Sequence, residues 1–353
     1  MTMDDSRINI IELKSGQRNS RAARAVSRSP LPGEIPLIDV SPIYTPGNTE
    51  GLARTGRAIA EACQRIGFFY ATGHSVAPLI VDNAFSAART FFALPLEERL
   101  RIKLNDRHRG YMPMGDTTVP GYAANLHHSF EMALDLPVQD PDVLAGKPLH
   151  ASNVWPELAG FRDAVEACYD AGCRFGFHLL RAMASSLDLP DSYFQALYRD
   201  KPLASMRLLH YPPSPDPVDA QDDFGIAPHS DYGVLTLLLQ DETGGLELLT
   251  RGGEWIQAPH VPGAYVVNIG DLMGIWTNDR YTSMQHRVRN TGERDRYSIP
   301  LFYNPSFDTR IACLPGCATS TQPAKYAPER MGEYLLANFN RVWESYKRPT
   351  PGD

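Results

Sequence analysis

Hydrophobic residues change their spacing along the chain, and this change predicts where helices and strands lie. From Ile35 a short β-prone run, IPLIDV, is followed by apolar residues at helical spacing and then by a second strand-like run, GFFYATG. Apolar residues three, four or seven positions apart predict further helices over 79–93 and 157–188. The segment 35–200 is therefore predicted to be mostly helical, with short strands between its helices.

After Pro202 the hydrophobic period becomes two. Turn-forming pairs of glycine, proline or asparagine separate six short runs: ASMRLLHY, GVLTLLLQ, GLELLT, AYVVNIG, SMQHRVRN and RYSIPLFY. Many short strands with regular turns are typical of a β-sandwich or jelly roll. A final helical pattern over 328–345 predicts one more helix, packed on the outside of the sheet.

Two segments lack this regular spacing. Residues 1–34 mix arginine, serine and proline without apolar periodicity, so we expect a flexible N-terminal arm. Residues 105–153 are rich in glycine, proline, histidine and methionine. A long irregular segment in a compact protein often binds a ligand, so we expect a loop that faces the substrate.

Composition narrows the class of protein. The chain has 353 residues, of which 43% are hydrophobic and 21% charged, which suits a folded globular protein. Its net charge of -7 is opposite to that of a typical nucleic-acid-binding protein. No apolar run reaches the ~18 residues that a membrane span requires, and five cysteines at irregular spacing suit reduced thiols. We expect a cytoplasmic protein with a small-molecule partner, and neither nucleic acid nor membrane.

A histidine and an aspartate lie two residues apart in the strand-rich half. Side chains alternate along a strand, so His229 and Asp231 point the same way, and His286 on a later strand can join them. Two imidazoles and one carboxylate leave three positions open on octahedral iron(II), the arrangement used for oxygen chemistry. Two alternatives stay open: the same ligand types bind zinc, and a single histidine is more often a structural residue.

An arginine and a serine are spaced in the same way on the run RYSIPLFY. Arg296 and Ser298 present a guanidinium and a hydroxyl to one side, which suits a carboxylate. Phe302 lies on the same face, so this face is predicted to point inward, and a buried arginine needs an anion. The alternative for Arg296 is an ion pair at the surface.

Taken in order, these motifs resemble the iron(II)- and 2-oxoglutarate-dependent oxygenases of the isopenicillin N synthase type. The resemblance runs to about Pro305 through IPLIDV, GFFYATGH, FFALPLEER, MRLLHYPPSPDP, PHSDYGVLTLLLQDETGGLEL, VVNIGD, YTSMQHRV and RYSIPLFYNP. It implies an all-β core with flanking helices, a double-stranded β-helix or jelly roll over 201–310. On this basis 35–200 contributes strands to the core, and 311–353 forms a C-terminal extension and helix.

The resemblance also implies roles for individual residues. It implies that His229, Asp231 and His286 are the ligands of iron(II). It also implies that Arg296, Ser298 and the Tyr211 hydroxyl bind the distal carboxylate of 2-oxoglutarate. O2 is the second co-substrate, and hydroxylation, desaturation or cyclisation of a small metabolite accompanies release of succinate and CO2. One departure concerns Leu209, which stands where many plant members of the family have an asparagine near the co-substrate.

By analogy with the family, Arg207 and Phe302 are expected to face the substrate. Weaker candidates from the predicted loop are Tyr111, Met112, Asn125 and His128. If Arg207 faces the iron, a carboxylate or phosphate of the substrate would balance its charge, which predicts an acidic metabolite. The alternative is a protein partner such as Glu131.

Two other functions use the same fold. An iron oxidase of this family takes its electrons from the substrate or from ascorbate and does not use 2-oxoglutarate. A jelly-roll module that only binds a ligand needs no metal, although a complete ligand set beside a carboxylate-binding arginine argues against it.

Overall fold

The computed structural model describes residues 25–119, 121–213, 224–289 and 294–342. Its strands are β1 (Leu37–Asp39), β2 (Phe68–Thr72), β3 (Gly110–Met112), β4 (His128–Ala133), β5 (Ser205–Tyr211), β6 (Ile226–His229), β7 (Leu235–Gln240), β8 (Leu246–Leu249), β9 (Trp255–Gln257), β10 (Tyr265–Ile269), β11 (His286–Val288), β12 (Arg296–Tyr303), β13 (Arg310–Ile311) and β14 (Glu329–Arg330). Its α-helices are α1 (Thr49–Arg65), α2 (Pro78–Phe92), α3 (Leu96–Leu100), α4 (Pro141–Leu144), α5 (Phe161–Ser186), α6 (Gln195–Tyr198), α7 (Asp271–Trp276) and α8 (Met331–Val342).

Two sheets form the core. The larger has the strand order β1-β2-β10-β7-β12-β5-β4-β3, and the smaller has the order β6-β11-β8-β9. Apolar side chains from both sheets meet in one buried cluster, which includes Phe68 and Leu209 of the larger sheet and Leu248 and Val288 of the smaller. This is the predicted jelly roll, and β2, β3 and β4 show that the N-terminal half adds strands to it.

Helices α1, α2 and α5 pack on the larger sheet, and α5 lies close against β12. Helix α8 lies elsewhere than the sequence predicts, because its Leu335 and Phe339 line the cavity between the sheets. A Cβ atom added at Gly172 would come within 2.6 Å of Leu301, and one added at Gly176 within 2.6 Å of Tyr303. Even an alanine would therefore collide with β12 at these positions. The two glycines allow the longest helix to pack directly on the strand that carries Arg296.

Strand β12 separates α5 from the space between the sheets. Because side chains alternate along a strand, one set of its residues packs in the core beneath the helices: Ile299, Leu301 and Tyr303. The other set faces an internal cavity: Arg296, Ser298, Pro300 and Phe302. The alternation of β12 thus places its candidates for co-substrate and substrate binding on a single side.

The helix predictions agree with the structure to within a few residues. Observed bounds are Pro78–Phe92, Phe161–Ser186 and Met331–Val342, where the sequence predicts 79–93, 157–188 and 328–345. The prediction of a loop over 105–153 is wrong in part, because β3, β4 and α4 lie within it. Frequent glycine and proline in that segment conceal two short strands, which pair with each other and, through β4, with the distant β5.

The end of the predicted flexible arm is attached to the smaller sheet. The Arg28 backbone N–H donates to the carbonyl of Trp255 at 3.0 Å, and the Gln257 N–H donates to the Arg28 carbonyl at 2.9 Å. The Arg28 side chain pairs with Glu34 at 2.7 Å. Residues 28–34 therefore differ from the expectation of flexibility, and residues 1–24 of the predicted arm lie outside the described residues.

Two further expectations concern cysteines and membranes. All five cysteines are free thiols, as their irregular spacing predicts. Within the part of the chain that the structure describes, no helix combines the length and the apolar character needed to cross a bilayer.

Candidate active site

Two neighbouring strands bring together three side chains that could hold a metal ion. His229 ends β6, Asp231 follows two residues later, and His286 begins β11, directly opposite His229 in the antiparallel register. One ligand atom from each residue lies within 4.8 Å of the other two. The Asp231 Oδ1 atom is 3.9 Å from His229 Nε2 and 3.7 Å from His286 Nε2. These donors can therefore reach one ion.

Backbone carbonyls set the orientation of both imidazoles. The Nδ1 atom of His229 lies 2.8 Å from the Ala227 carbonyl, and that of His286 lies 3.4 Å from the Met284 carbonyl. A carbonyl only accepts, so Nδ1 carries the hydrogen in both rings, and Nε2 is the nitrogen left to bind a metal. In each ring, Nε2 is the nitrogen that faces Asp231.

Two side chains hold the aspartate. Asp231 Oδ2 accepts hydrogen bonds from Thr236 Oγ1 at 2.6 Å and from Asn268 Nδ2 at 2.7 Å. The other oxygen, Oδ1, is the one nearest to the two histidines. Such outer hydrogen bonds orient a metal-binding carboxylate before the metal arrives.

The protonation states suit metal binding. Burial lowers the pKa of His229 to about 4, helped by the neighbouring His286, so the imidazole is neutral at pH 7. Burial alone would raise the pKa of Asp231, but the two histidines and its hydrogen bonds outweigh that effect, and the pKa lies below its usual value. Neutral imidazole and ionised carboxylate are the forms that bind a cation.

A second polar group lies on the same side of the sheet. Arg296 on β12 is directly opposite Tyr211 on β5, with its guanidinium carbon 4.6 Å from the centre of the Tyr211 ring. The Arg296 Nε donates to the Gly244 carbonyl, and Nη1 donates to Ser298 Oγ at 3.3 Å. Arg296 is only 1% exposed, and its Nη2 finds no hydrogen-bond acceptor among the described residues. A buried donor of this kind suits an anionic ligand.

One cavity of about 190 Å³ contains both groups. Nine of the predicted site residues line it: His229, Asp231, His286, Arg296, Ser298, Tyr211, Arg207, Phe302 and Asn125. Asn125 is already engaged, because its Oδ1 accepts from the Ala227 N–H at 3.0 Å and its Nδ2 donates to Thr117. The candidate metal-binding residues, the arginine and several substrate candidates thus share one cavity.

Three predicted substrate residues lie elsewhere. Tyr111, Met112 and His128 are buried but do not line the cavity. The Tyr111 hydroxyl lies 2.9 Å from His128 Nδ1, and the rings of both residues pack against phenylalanines at the end of α2. A role in contacting substrate does not fit these positions, because Tyr111 and His128 face the helices and Met112 also lies outside the cavity.

Alternate positions in and just before β4 face the cavity instead. His127, which precedes the strand, and Glu131 within it both line the cavity. The His127 Nδ1–H donates to the Gly225 carbonyl at 2.7 Å. His127 is not among the predicted site residues because a loop is expected here, although the alternation through His127, Ser129 and Glu131 is that of a strand.

Arg207 has a protein partner. Its position on β5 is directly opposite Glu131 on β4, and its Nε is 3.2 Å from Glu131 Oε1. The guanidinium carbon lies 5.1 Å from the centre of the Phe302 ring. Of the two explanations for Arg207, the structure shows the partner Glu131, so a substrate anion is not needed to balance its charge.

Buried histidines make stability depend on pH. Burial lowers four pKa values to about 3 or about 4: those of His108, His127, His128 and His229. An unfolded histidine takes up a proton near pH 6.5, whereas these do not, so acidification favours the unfolded chain. We expect the thermal midpoint of the metal-free protein, followed by circular dichroism, to be lower at pH 5 than at pH 7. An equal or higher midpoint at pH 5 would contradict this.

Two family profiles match the chain. The profile of the 2OG-Fe(II) oxygenase superfamily matches residues 202–305, which include the metal-binding set and the buried arginine. The profile described as the non-haem dioxygenase in morphine synthesis N-terminal region matches residues 35–158.

Curated relatives span nearly the whole chain. A protein named 2-oxoglutarate-Fe(II) type oxidoreductase hxnY, from Emericella nidulans, is 35% identical over 90% of this chain and 93% of its own length. A homoarginine-6-hydroxylase from Oryza sativa subsp. japonica is 34% identical over 86% of this chain and 97% of its own. The chain and these relatives therefore match over both halves of the fold.

A solved structure that contains 2-oxoglutarate has the same fold. This full-length protein from Neurospora crassa, in complex with alpha-KG (2-oxoglutarate), superposes with a TM-score of 0.77 and is 28% identical, covering 90% of this chain and 98% of that one. It has also been solved with alpha-KG and thymine, again with a TM-score of 0.77.

Proposed function

Because the chain belongs to the 2OG-Fe(II) oxygenase superfamily, we propose that His229, Asp231 and His286 hold its iron(II). The protein is a 2-oxoglutarate-dependent dioxygenase that oxidises a small metabolite with O2 and releases succinate and CO2. The observation that carries the residue assignment is the convergence of the three donors within 4.8 Å, with both Nε2 lone pairs available. Iron(II) with 2-oxoglutarate and O2 supplies the oxidising power when bound.

We further propose that Arg296, Ser298 and Tyr211 bind the distal carboxylate of 2-oxoglutarate. The support is a guanidinium that is 1% exposed in the same cavity as the metal-binding set, with one terminal nitrogen still lacking an acceptor among the described residues. The Ser298 hydroxyl accepts from Arg296 Nη1 at 3.3 Å, and the Tyr211 ring centre lies 4.6 Å from the guanidinium carbon. Leu209 makes the neighbouring wall apolar, so recognition of the carboxylate depends mainly on Arg296.

The chain's own residues position the reactants. Thr236 and Asn268 fix the Asp231 carboxylate, so little reorganisation is needed when the ion binds. The remaining cavity wall, with Phe302 and Arg207, is where we place the substrate.

Removing one outer hydrogen bond tests how Asp231 is held. Thr236→Val keeps the shape of a β-branched strand residue but removes the 2.6 Å donor to Asp231 Oδ2. We expect iron(II) affinity to fall by about 10–100-fold, measured by anaerobic calorimetric titration. Thr90→Val, which removes a hydroxyl on α2 outside the cavity, is the control. Equal affinity in the two variants would show that Thr236 does not support the metal site.

A product assay tests the function as a whole. Purified protein with iron(II), O2 and a panel of small metabolites is expected to convert 2-oxoglutarate into equal amounts of succinate and CO2. O2 consumption without succinate would favour the iron oxidase instead. Ligand binding with neither metal binding nor turnover would favour the non-catalytic module.

A further inference from the structure

Strands β5 and β12 give the cavity two ends. Tyr211 pairs with Arg296 at one end, which we call the co-substrate end, and Ser205 pairs with Phe302 at the other, the far end. All four residues line the cavity. A strand rises about 3.3 Å per residue, so the two ends are about 20 Å apart. If 2-oxoglutarate occupies the co-substrate end, the substrate extends toward the far end.

Helix α8 is attached at the far end. The Met331 N–H at its start donates to the Thr309 carbonyl at 2.9 Å, shortly after the end of β12. From this attachment the helix places Leu335 and Phe339 in the wall of the cavity. The Phe339 ring centre lies 4.7 Å from that of His108, which also lines the cavity. A helix from the C-terminal part of the chain therefore forms one wall of the far end.

Apolar side chains gather at this end. Strand β4 ends at Ala133, opposite Ser205, so the residues that follow β4 and those that precede β5 lie here. Together with α8 they contribute apolar side chains to the cavity wall: Leu134, Leu136, Leu203, Leu335 and Phe339. Apolar surface that lines a cavity is best covered by an apolar part of a ligand.

The cationic side chains near this end have protein partners. Arg109 donates to three backbone carbonyls at 2.8 to 3.2 Å. Lys201 Nζ lies 2.7 Å from Asp140 Oδ1 and 2.6 Å from Asp142 Oδ2. Arg207 has the carboxylate partner described above. The protein thus supplies acceptors for these donors, and the apolar side chains form the surface that a ligand has yet to cover.

We infer, on the basis of the proposed function, that α8 selects a substrate with an apolar group, which Phe339 and Leu335 contact at the far end. These two residues are four positions apart and therefore share one face of the helix. Phe339 is then a specificity-determining residue. The class of substrate is a small metabolite that carries an aromatic ring or a branched aliphatic chain.

The test compares ligands that differ only in a phenyl ring. Protein loaded with Mn(II) and 2-oxoglutarate is titrated by calorimetry with phenylacetate, phenylacetamide and phenethylamine, and with their partners acetate, acetamide and ethylamine. We expect at least one phenyl compound to bind about tenfold or more tightly than its partner, because the ring covers apolar surface. Phe339→Ala and Phe339→Gln are both expected to reduce that ratio to about threefold or less, since each removes the ring that the ligand would contact. Retained binding of Mn(II) and 2-oxoglutarate shows that each variant is folded.

The matched control is Leu336→Ala. Leu336 lies on the same helix but packs against the hydrophobic core and does not line the cavity, so its loss should leave the ratio at the wild-type value. A wild type that binds no phenyl compound more tightly than its partner would overturn the inference. So would a ratio that survives in both Phe339 variants, or one that Leu336→Ala lowers equally. If the wild type fails to bind Mn(II) and 2-oxoglutarate, the proposed function fails; absence of the phenyl preference with both bound fails only this inference.

Discussion

Replacing His286 with alanine is expected to lower iron(II) affinity and the rate of succinate formation by more than about 100-fold. Loss of an outer hydrogen bond at a metal site already costs about 10–100-fold in affinity, and this variant removes a ligand. His229 and Asp231 would remain, held by the Ala227 carbonyl and by Thr236. Anaerobic titration with iron(II) measures the affinity, and a succinate assay at saturating 2-oxoglutarate measures the rate.

The matched control is His260→Ala. His260 also bonds a backbone carbonyl through Nδ1, at 3.0 Å from Gln240, but it does not line the cavity. The His260→Ala variant should bind iron(II) with the affinity of the wild type. If His286→Ala retained stoichiometric iron(II) binding and turnover, His286 would not be a ligand.

Arg296→Ala is expected to raise the dissociation constant for 2-oxoglutarate by about 30-fold or more and to leave iron(II) affinity unchanged. Truncating one partner of a buried charged pair costs about 2–5 kcal/mol, and each 1.4 kcal/mol is a factor of about ten. Arg296 is 1% exposed and is the charged group of the proposed carboxylate site. Calorimetry on Mn(II)-loaded protein measures the dissociation constant for 2-oxoglutarate. Anaerobic titration with iron(II) measures the affinity for iron(II).

Arg296→Lys separates charge from shape. Lysine keeps the positive charge but not the planar fork that the Gly244 carbonyl and Ser298 hold in place. We expect affinity between those of the wild type and the alanine variant. An alanine variant with wild-type affinity for 2-oxoglutarate would mean that the co-substrate binds elsewhere.

Regular strands make much of the fold and of the cavity predictable. On β12 the period of two places Arg296, Ser298 and Phe302 on one face, and the structure shows that face lining the cavity. The jelly-roll prediction is confirmed for the same reason: an alternating pattern reports directly which face is buried. The motifs around these residues also indicate the family without coordinates.

The alternation in β4 is that of a strand, but it does not show which face of the strand turns to the cavity. Two adjacent histidines, His127 and His128, point to opposite faces, and only the register with β5 decides which one faces the cavity. That register joins His128 to His210, 82 residues away. A pairing over such a distance leaves no local trace in the sequence.

The N-terminal segment also makes a long-range pairing that its local sequence does not predict. Arg28 joins the smaller sheet beside Ile256, and Ser27 Oγ donates to Glu247, 220 residues later, at 2.6 Å. Serine, arginine and proline in this stretch suggest a flexible arm when considered alone. In the structure, Arg28 pairs with the edge of the smaller sheet, far along the chain.

A crystal structure of the protein grown without oxygen, with iron(II) and 2-oxoglutarate, tests the assignment of the site most directly. We expect one iron bound by the Nε2 atoms of His229 and His286 and by Asp231 Oδ1, with the distal carboxylate of 2-oxoglutarate on the Arg296 guanidinium. Iron bound by other side chains, or a co-substrate that leaves Arg296 without its carboxylate, would contradict it.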